Sequence, residues 1–553
     1  MTPPNTEPAG FGATAPRFWA ALVRGYQGLA QREMLACAFI LLLTLGLRAA
    51  LLPWLPVPQP MVHDEFSYLL AADTYVHGRL TNPPHPFWQH FETFQELQQP
   101  TYGSKYQPLQ GLVLAFGQKF FGEPYIGVYL SAGLMSAAIC WMLQGWIAPE
   151  WALLGALFFA LRVGVLSYWM NSYFPGAVAG LGGALALGAL IRIWRRKQFG
   201  HSITWALGLA IVALSRPYDA AVLGLATAAI LVWLLRSSCT PLVVLGTHVA
   251  LPATAVLAVC GALIAHNDYR VTGHALILPA QVYEREYAVV SMGVFSIFPL
   301  GPEPAYRHSA MHELYVGDGV NQWTSARKHP LVCLMIKLYL LDTFFFPFWP
   351  LLIPVLLCPY DLRTPEERAT VFLLLAAVAM TAPLILSQPH YVAVFAGMFY
   401  LRFLHTLTRL RSWHPWDKPV GPALGVFLVV VLASGLCFNV FSLIHSGGGR
   451  DFSSQLLLSQ GSSFAAARKT VIEELEKLQG RQLVLVRYTP EHDPHKEWVF
   501  NRADIDASAI VWAREMGLAQ ERPFLEYFRG RRMWLLEPDL SPPKLTPYPR
   551  PID

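Results

Sequence analysis

Three ionisable residues in a row, His63, Asp64 and Glu65, follow directly on the first long apolar segment of the chain. A carboxylate there could act as a general base and take the proton of an attacking hydroxyl group. Adjacent residues on a helix point in different directions, so one acid can face a reaction while the other binds a substrate or a basic neighbour. The same acids also suit a helix N-terminus, where they cap free N–H groups and interact favourably with the helix dipole. The spacing alone favours neither interpretation.

Several basic residues lie near the ends of other apolar segments. They are Arg48, Lys105, Arg162, Arg216 and Lys337. Cations gathered at one face of a membrane suit an anionic lipid head group, especially a phosphate or pyrophosphate. Each alone could instead extend to the lipid–water interface, as Lys and Arg near span ends often do. As a set, they favour an anion site.

The composition indicates a membrane protein. Of 553 residues, 54% are hydrophobic and 14% are charged, whereas soluble proteins carry about 25% charged residues. Many apolar runs reach the roughly 20 residues that span a bilayer. The net charge of +5 does not indicate nucleic acid binding, because the basic residues lie mostly between apolar segments. The seven cysteines lie in or beside apolar segments and predict no disulfide framework.

Hydropathy predicts a polytopic α-helical membrane protein with about eleven transmembrane helices. The predicted spans lie near Met34–Pro53, Tyr125–Trp146, Trp151–Tyr168, Gly176–Ile193, Ile203–Ser215, Ala220–Leu235, Val243–Ala265, Leu331–Leu357, Thr370–Leu386, Tyr391–Leu407 and Val420–Ile444. The basic connections between spans place the N-terminus in the cytoplasm and the C-terminus on the outer face. We expect a bacterial inner membrane, with the C-terminus in the periplasm.

This topology divides the chain into three parts. Residues 1–33 form a cytoplasmic lead, and residues 34–445 form the membrane domain. That domain carries two large outer segments, here named the first loop (54–124) and the late loop (266–330). Residues 446–553 form a small soluble α/β domain, because an amphipathic helix pattern is followed by short strand-like runs. The stretch from Asp64 to Leu80 reads as a helix that could lie along the membrane interface.

An outer loop that follows the first span and opens with Asp-Glu resembles the GT-C superfamily of integral-membrane glycosyltransferases. The nearest resemblance is to protein O-mannosyltransferases, aminoarabinose transferases and the RgtA/B/C/D-like group. The resemblance implies that Asp64 is the catalytic base and that Glu65 takes the second acidic position. It also implies a polyprenyl-phosphate sugar as the donor.

A second match lies later in the first loop. The stretch Ser104-Lys105-Tyr106-Gln107-Pro108-Leu109 resembles a Lys-Pro-Pro-Leu-like box of the aminoarabinose-type enzymes. The resemblance implies that Lys105 approaches the lipid phosphate. We expect Arg48 and Arg216 to help Lys105 hold it. The preceding segment, rich in Pro, His and aromatic residues, differs from those enzymes.

Several GT-C branches hold a metal with an acidic motif in a short outer loop. The corresponding stretch here, Ser167–Pro175, contains no carboxylate. Asn171 could hydrogen-bond a substrate but replaces a charged metal ligand poorly. We therefore expect no essential divalent metal and no cofactor. Further candidates for substrate contacts are His63, Tyr68, Asn171, Tyr283, Arg285 and His390.

The leading hypothesis is an inverting membrane glycosyltransferase that moves a sugar from a polyprenyl-phosphate donor to a lipid, glycan or protein acceptor. A transporter or flippase of an anionic lipid-linked substrate is a second hypothesis. Broken helices in repeated halves would favour it, but the interruption at Arg216-Pro217 has no counterpart elsewhere. A third is a catalytically silent GT-C-like scaffold, against which the intact Asp64-Glu65 pair argues.

Overall fold

The computed structural model describes residues 17–290, 295–346, 362–385, 388–446 and 463–549. Most of these residues are helical. In chain order the helices are α1 (Arg17–Ala30), α2 (Glu33–Ala50), α3 (His63–Val76), α4 (Pro108–Phe121), α5 (Tyr125–Trp146), α6 (Pro149–Phe159), α7 (Gly176–Arg196), α8 (Phe199–Ala213), α9 (Pro217–Ser237), α10 (Leu242–Thr272), α11 (Pro279–Tyr287), α12 (Gly319–Lys328), α13 (Pro330–Phe345), α14 (Pro365–Thr381), α15 (Pro389–Ser412), α16 (Val420–Ser446), α17 (Ser463–Glu476) and α18 (Leu518–Tyr527). The strands are β1 (Glu96–Leu97), β2 (Gly103–Ser104), β3 (Gln482–Val486), β4 (Ile510–Arg514), β5 (Arg532–Glu537) and β6 (Lys544–Pro547).

Seven helices within the described residues are long and apolar enough to cross a membrane, namely α2, α5, α7, α9, α10, α15 and α16. Helices also lie at the other predicted spans, but they are shorter. The predicted span near Trp151–Tyr168, for example, is α6 followed by a π-helical turn over Ala160–Val165. The end of the predicted span Leu331–Leu357 lies outside the described residues. The fold is that of a multi-pass membrane protein, and the count of about eleven is not confirmed.

Small residues let the central membrane helices approach closely. A Cβ atom at Gly183 in α7 would lie 2.2 Å from the carbonyl oxygen of Val394, and one at Gly182 would lie 2.7 Å from that of Gly208. Such close approach of backbones is typical of helix packing in membranes. It fixes the first turns of α15, which carry His390 and Tyr391, against the rest of the bundle.

Helix α3 is buried on most of its surface, which corrects the expectation of a helix lying along the membrane interface. Phe66 and Leu70 pack into clusters formed largely by C-terminal residues, whereas Tyr68 and Ala72 pack with residues of α4 and α5. An interfacial helix would leave one face to lipid and water. Helix α3 instead lies between two parts of the protein.

The C-terminal unit (residues 463–549) is a small α/β structure, as expected. Its sheet has the strand order β4-β3-β5-β6, in which β3 runs parallel to β4 and β5, and β6 runs antiparallel to β5. All five side chains of β3 are buried, as expected for a central strand covered on both faces. Helices α17 and α18 complete the unit.

The C-terminal unit packs directly on the first loop. The backbone N–H of Ala503 donates to Asp73 of α3 at 2.9 Å. Arg514 donates to the carbonyl oxygen of Glu92 at 2.7 Å. The hydroxyl of Tyr102 donates to the backbone carbonyl oxygen of Asn501 at 3.2 Å. These buried polar contacts accompany the shared apolar clusters, so the two segments form one packed body.

The stacked pair Phe66 and Phe500, with ring centroids 4.0 Å apart, is central to this packing. We expect Phe66→Ala to destabilise the contact by about 3 kcal/mol, because it removes a buried ring and leaves a cavity. Faster hydrogen–deuterium exchange in β3 and β4 would measure the loss. The matched control is Leu540→Ala, whose side chain is exposed. Unchanged exchange in Phe66→Ala would contradict the expectation.

Candidate functional site

A cavity of about 260 Å³ opens where the first loop, the late loop and the membrane helices meet. Five of the residues singled out in the sequence line it. They are Asp64, Tyr68, Lys105, Arg216 and His390. They come from α3, the stretch before α4, the α8–α9 connection and α15, so the fold brings distant parts of the chain to one place.

Asp64 lies in the first turn of α3 and faces this cavity. The hydroxyl of Tyr106 donates a hydrogen bond to its Oδ1 atom. The ring of Tyr106 stacks on that of Tyr68 at a centroid distance of 4.5 Å, which holds the hydroxyl in place. The tyrosine therefore orients the carboxylate through one oxygen.

Lys105 presents its ammonium group to the same cavity. Its Nζ atom lies 4.9 Å from the ring centroid of Tyr283 and 5.3 Å from that of Tyr106, within the range of cation–π attraction. Burial lowers the pKa of Lys105, while the nearby carboxylates of Glu284 and Asp64 raise it. Among the described residues, no carboxylate forms an ion pair with Lys105. This cation is thus available to an anionic ligand.

Arg216 is the second cation of the cavity. It precedes Pro217, and a residue before proline is disfavoured in the helical region; its φ of −143° and ψ of 86° lie outside that region. Its Nε donates to Asp219 at 2.5 Å, and its guanidinium lies 4.5 Å from the ring centroid of Tyr391. Since the bond to Asp219 uses Nε, the two Nη groups retain donors for an anion.

Glu65 lines no part of the cavity. Its carboxylate accepts hydrogen bonds from the backbone N–H groups of Met61 at 2.9 Å, Val62 at 3.1 Å and Tyr173 at 3.0 Å. Burial raises the pKa of Glu65 to about 7, against the lowering effect of these donors. The contacts tie the start of α3 to the short loop Ser167–Pro175.

Arg48 and Asn171 form a structural pair in the neighbourhood of this loop. Arg48 donates from Nε to the side-chain oxygen of Asn171 at 2.8 Å and from Nη2 to the carbonyl of Pro56 at 3.2 Å. The amide nitrogen of Asn171 donates to the carbonyls of Val165 and Ser167. Both side chains are buried and absent from the cavity lining. They support the loops around the cavity.

Three further candidates, Tyr283, Arg285 and His63, lie outside the cavity lining. Tyr283 is buried and lies under Lys105, where its hydroxyl accepts the N–H of Gln95 at 2.8 Å. Arg285 is exposed and does not line the cavity. His63 is buried, and its ring stacks on Phe94 at 4.4 Å. None of these three reaches the cavity lining.

Three lining residues, Tyr106, Asp219 and Tyr391, were not singled out as site candidates. The i, i+3 spacing of Arg216 and Asp219 at a helix start could have indicated their ion pair. Tyr106 and Tyr391 each adjoin a predicted residue, but their roles depend on contacts between distant segments. Among the described residues, no group of three His, Cys, Asp or Glu side chains could hold a metal ion.

No protein-family model matches the sequence, and no curated protein is significantly similar to it. Solved structures do share its fold. ArnT from Cupriavidus metallidurans bound to undecaprenyl phosphate superimposes with a TM-score of 0.50 at 12% identity, over 95% of this chain and 93% of that one. The oligosaccharyltransferase from Archaeoglobus fulgidus with zinc and sulfate gives 0.47 at 12% identity, over 82% of this chain. This chain spans 60% of the length of that enzyme.

ArnT is an aminoarabinose transferase, and both proteins are members of the GT-C superfamily. The predicted resemblance to this superfamily is therefore confirmed at the level of the fold. The chain is similar to ArnT in fold, at 12% sequence identity.

The burial of His63 makes a testable contribution to stability. Burial lowers the pKa of His63 from 6.5 to about 4, and Asp64 opposes this effect. Between these values the unfolded chain binds a proton that the folded protein excludes, so stability falls as the pH decreases from about 6.5 to about 4. We expect His63→Phe to make this fall shallower in thermal unfolding of the detergent-solubilised protein. Equal slopes in wild type and variant would contradict the expectation.

Proposed function

We propose that this protein is an inverting glycosyltransferase that uses a polyprenyl-phosphate-linked monosaccharide. The observation that carries the proposal is one cavity in which a carboxylate, Asp64, faces two cations, Lys105 and Arg216, within a GT-C fold. An acceptor hydroxyl needs a base, and a departing lipid phosphate needs positive charge. Both requirements are met by side chains that line the same space.

In the proposed reaction the acceptor oxygen attacks the anomeric carbon of the donor while Asp64 takes the hydroxyl proton. The new oxygen–carbon bond forms as the bond between the anomeric carbon and the phosphate oxygen breaks. The electron pair of that bond leaves with the lipid phosphate. A single displacement of this kind inverts the anomeric configuration.

The hydrogen bond from Tyr106 gives Asp64 a defined direction, because it occupies Oδ1. The proton of the acceptor then goes to Oδ2. Lys105 and the Nη groups of Arg216 hold the phosphate, whose charge needs little protonation when cations neutralise it. Asp219 already offsets part of the charge of Arg216, so Lys105 contributes most of the net positive charge.

The acceptor belongs to a lipid, a glycan or a protein on the outer face of a bacterial inner membrane. One structure of the archaeal oligosaccharyltransferase holds an inhibitory peptide and a dolichol-phosphate, and that of ArnT holds undecaprenyl phosphate. We propose the same chemical class of lipid carrier here. We also propose that the reaction needs no divalent metal, because Asp64, Lys105 and Arg216 together supply the base and the charge.

The decisive experiment compares wild type with Asp64→Asn in nanodiscs on a panel of polyprenyl-phosphate monosaccharides. Release of free polyprenyl phosphate is measured, so that an unidentified acceptor does not hide the reaction. We expect Asp64→Asn to lose at least about 100-fold in rate, because the general base is removed. Wild-type activity should persist in EDTA. Full activity in Asp64→Asn, or binding of the lipids without any cleavage, would reject the proposal in favour of a transporter or scaffold.

Lys105 provides a separate test of the anion site. Lys105→Ala should weaken binding of undecaprenyl phosphate about 10-fold to 100-fold, the effect of losing one charge-assisted contact. The affinity is measured on the purified protein. The matched control is Lys119→Ala, which removes an exposed lysine from α4 outside the cavity. Equal affinity in the two variants would show that Lys105 does not hold the phosphate.

A further inference from the structure

We propose that the C-terminal unit positions the catalytic base, and that His63 is the positioning residue through which it acts. This inference rests on the function proposed for Asp64. It concerns the few residues that join the first turn of α3 to the unit. The unit then forms part of the transferase site, in addition to any role in acceptor binding.

The first turn of a helix needs outside support, because its first four N–H groups have no partner within the helix. In α3 this support combines a local capping contact of Glu65, to the N–H groups of Met61 and Val62, with tertiary contacts. His63 bonds to the C-terminal unit, Glu65 accepts from three backbone N–H groups, and the ring of Phe66 stacks on that of Phe500. Asp64 lies between these anchored residues and is left to face the cavity.

In the hydrogen bond between His63 and the C-terminal unit, the histidine is the donor. Its Nε2 atom lies 2.8 Å from the carbonyl oxygen of Pro494. A carbonyl oxygen only accepts, so Nε2 carries the proton and donates. The ring also lies between Phe94 at 4.4 Å and His495 at 5.9 Å, stacked with both. With 4% of its surface exposed, His63 can reach no substrate, and its contacts serve to hold the backbone beside Asp64.

The segment that holds His63 is itself tied to the late loop. Nε2 of His495 lies 3.1 Å from Oδ2 of Asp318. Asp493 accepts the backbone N–H of His495 at 3.0 Å and thereby begins the short turn Pro494–Lys496. The late loop also carries Glu284 in the cavity wall. One short C-terminal turn therefore contacts both loops that enclose the cavity.

The chain offers a matched control for His63. His90 is also buried and stacks on Phe524 at 4.0 Å, and its Nδ1 lies 3.1 Å from the carbonyl oxygen of Arg514 in the C-terminal unit. Like His63, it joins the first loop to the C-terminal unit by a hydrogen bond to a backbone carbonyl and by ring stacking. Unlike His63, it is not adjacent to Asp64 and belongs to a separate turn, Trp88–Phe91.

The test compares His63→Phe, His63→Gln and His90→Phe in the full-length protein. Phenylalanine keeps the stacking but removes the donor, whereas glutamine supplies a side-chain N–H in place of Nε2–H. We expect His63→Phe to lower kcat for release of polyprenyl phosphate by about tenfold or more, with KM within about twofold. His63→Gln should recover most of the rate. His90→Phe should keep the wild-type kcat, although its thermal midpoint falls like that of His63→Phe.

Equal kcat in His63→Phe and His90→Phe, with Asp64→Asn inactive, would overturn the positioning role and leave the proposed function intact. If no lipid is cleaved by wild type, the proposed function fails and the role of His63 in catalysis falls with it. Hydrogen–deuterium exchange at Phe66 and Ser67 then tests, without any activity, whether the contact with Pro494 holds the first turn of α3. The contact with Pro494 holds the first turn if exchange rises in His63→Phe and not in His90→Phe, and it does not hold the turn if both behave alike.

Discussion

The enclosure of α3 between the membrane helices and the C-terminal unit is the constraint on which the cavity depends. Tyr68 and Ala72 pack towards α4 and α5, whereas Phe66 and Leu70 pack towards the sheet. A helix held on both sides cannot rotate without opening one of these three apolar clusters. Asp64 therefore keeps one direction, which its proposed role as a general base requires.

The electrostatics of the cavity follow from unequal pairing of its charges. Arg216 is neutralised in part by Asp219, while Lys105 lies within cation–π range of the rings of Tyr106 and Tyr283. Aromatic faces attract a cation without neutralising it. The result is a positive charge that is held in place and still attracts an anion. A carboxylate in place of Tyr106 or Tyr283 would form an ion pair with Lys105 and reduce its attraction for an anionic ligand.

Much of this site was predictable because its residues adjoin the ends of apolar segments. The resemblance pointed to Asp64 and Lys105, and the basic residues near the ends of apolar segments pointed to Lys105 and Arg216. The structure brings all three to one cavity. The sequence did not predict which of His63, Asp64 and Glu65 would face the cavity and which would be held by buried contacts. It is decided by partners such as the N–H of Tyr173, which is 108 residues from Glu65 in sequence. Arg48 likewise donates a hydrogen bond to Asn171, which is 123 residues away in sequence. Hydropathy located the helices well, but it did not show that α3 would be covered by residues of the C-terminal sheet.

The bond between His63 and Pro494 joins positions 431 residues apart. Contacts of such long range form late, since the intervening chain must be in place before they can close. During synthesis, the stretch that carries Asp64 leaves the ribosome long before its partner exists. The first turn of α3 therefore lacks this contact while the membrane helices are being inserted, and gains it only when the C-terminal unit has folded. The first loop thus gains one of its supports only after the C-terminal unit is in place.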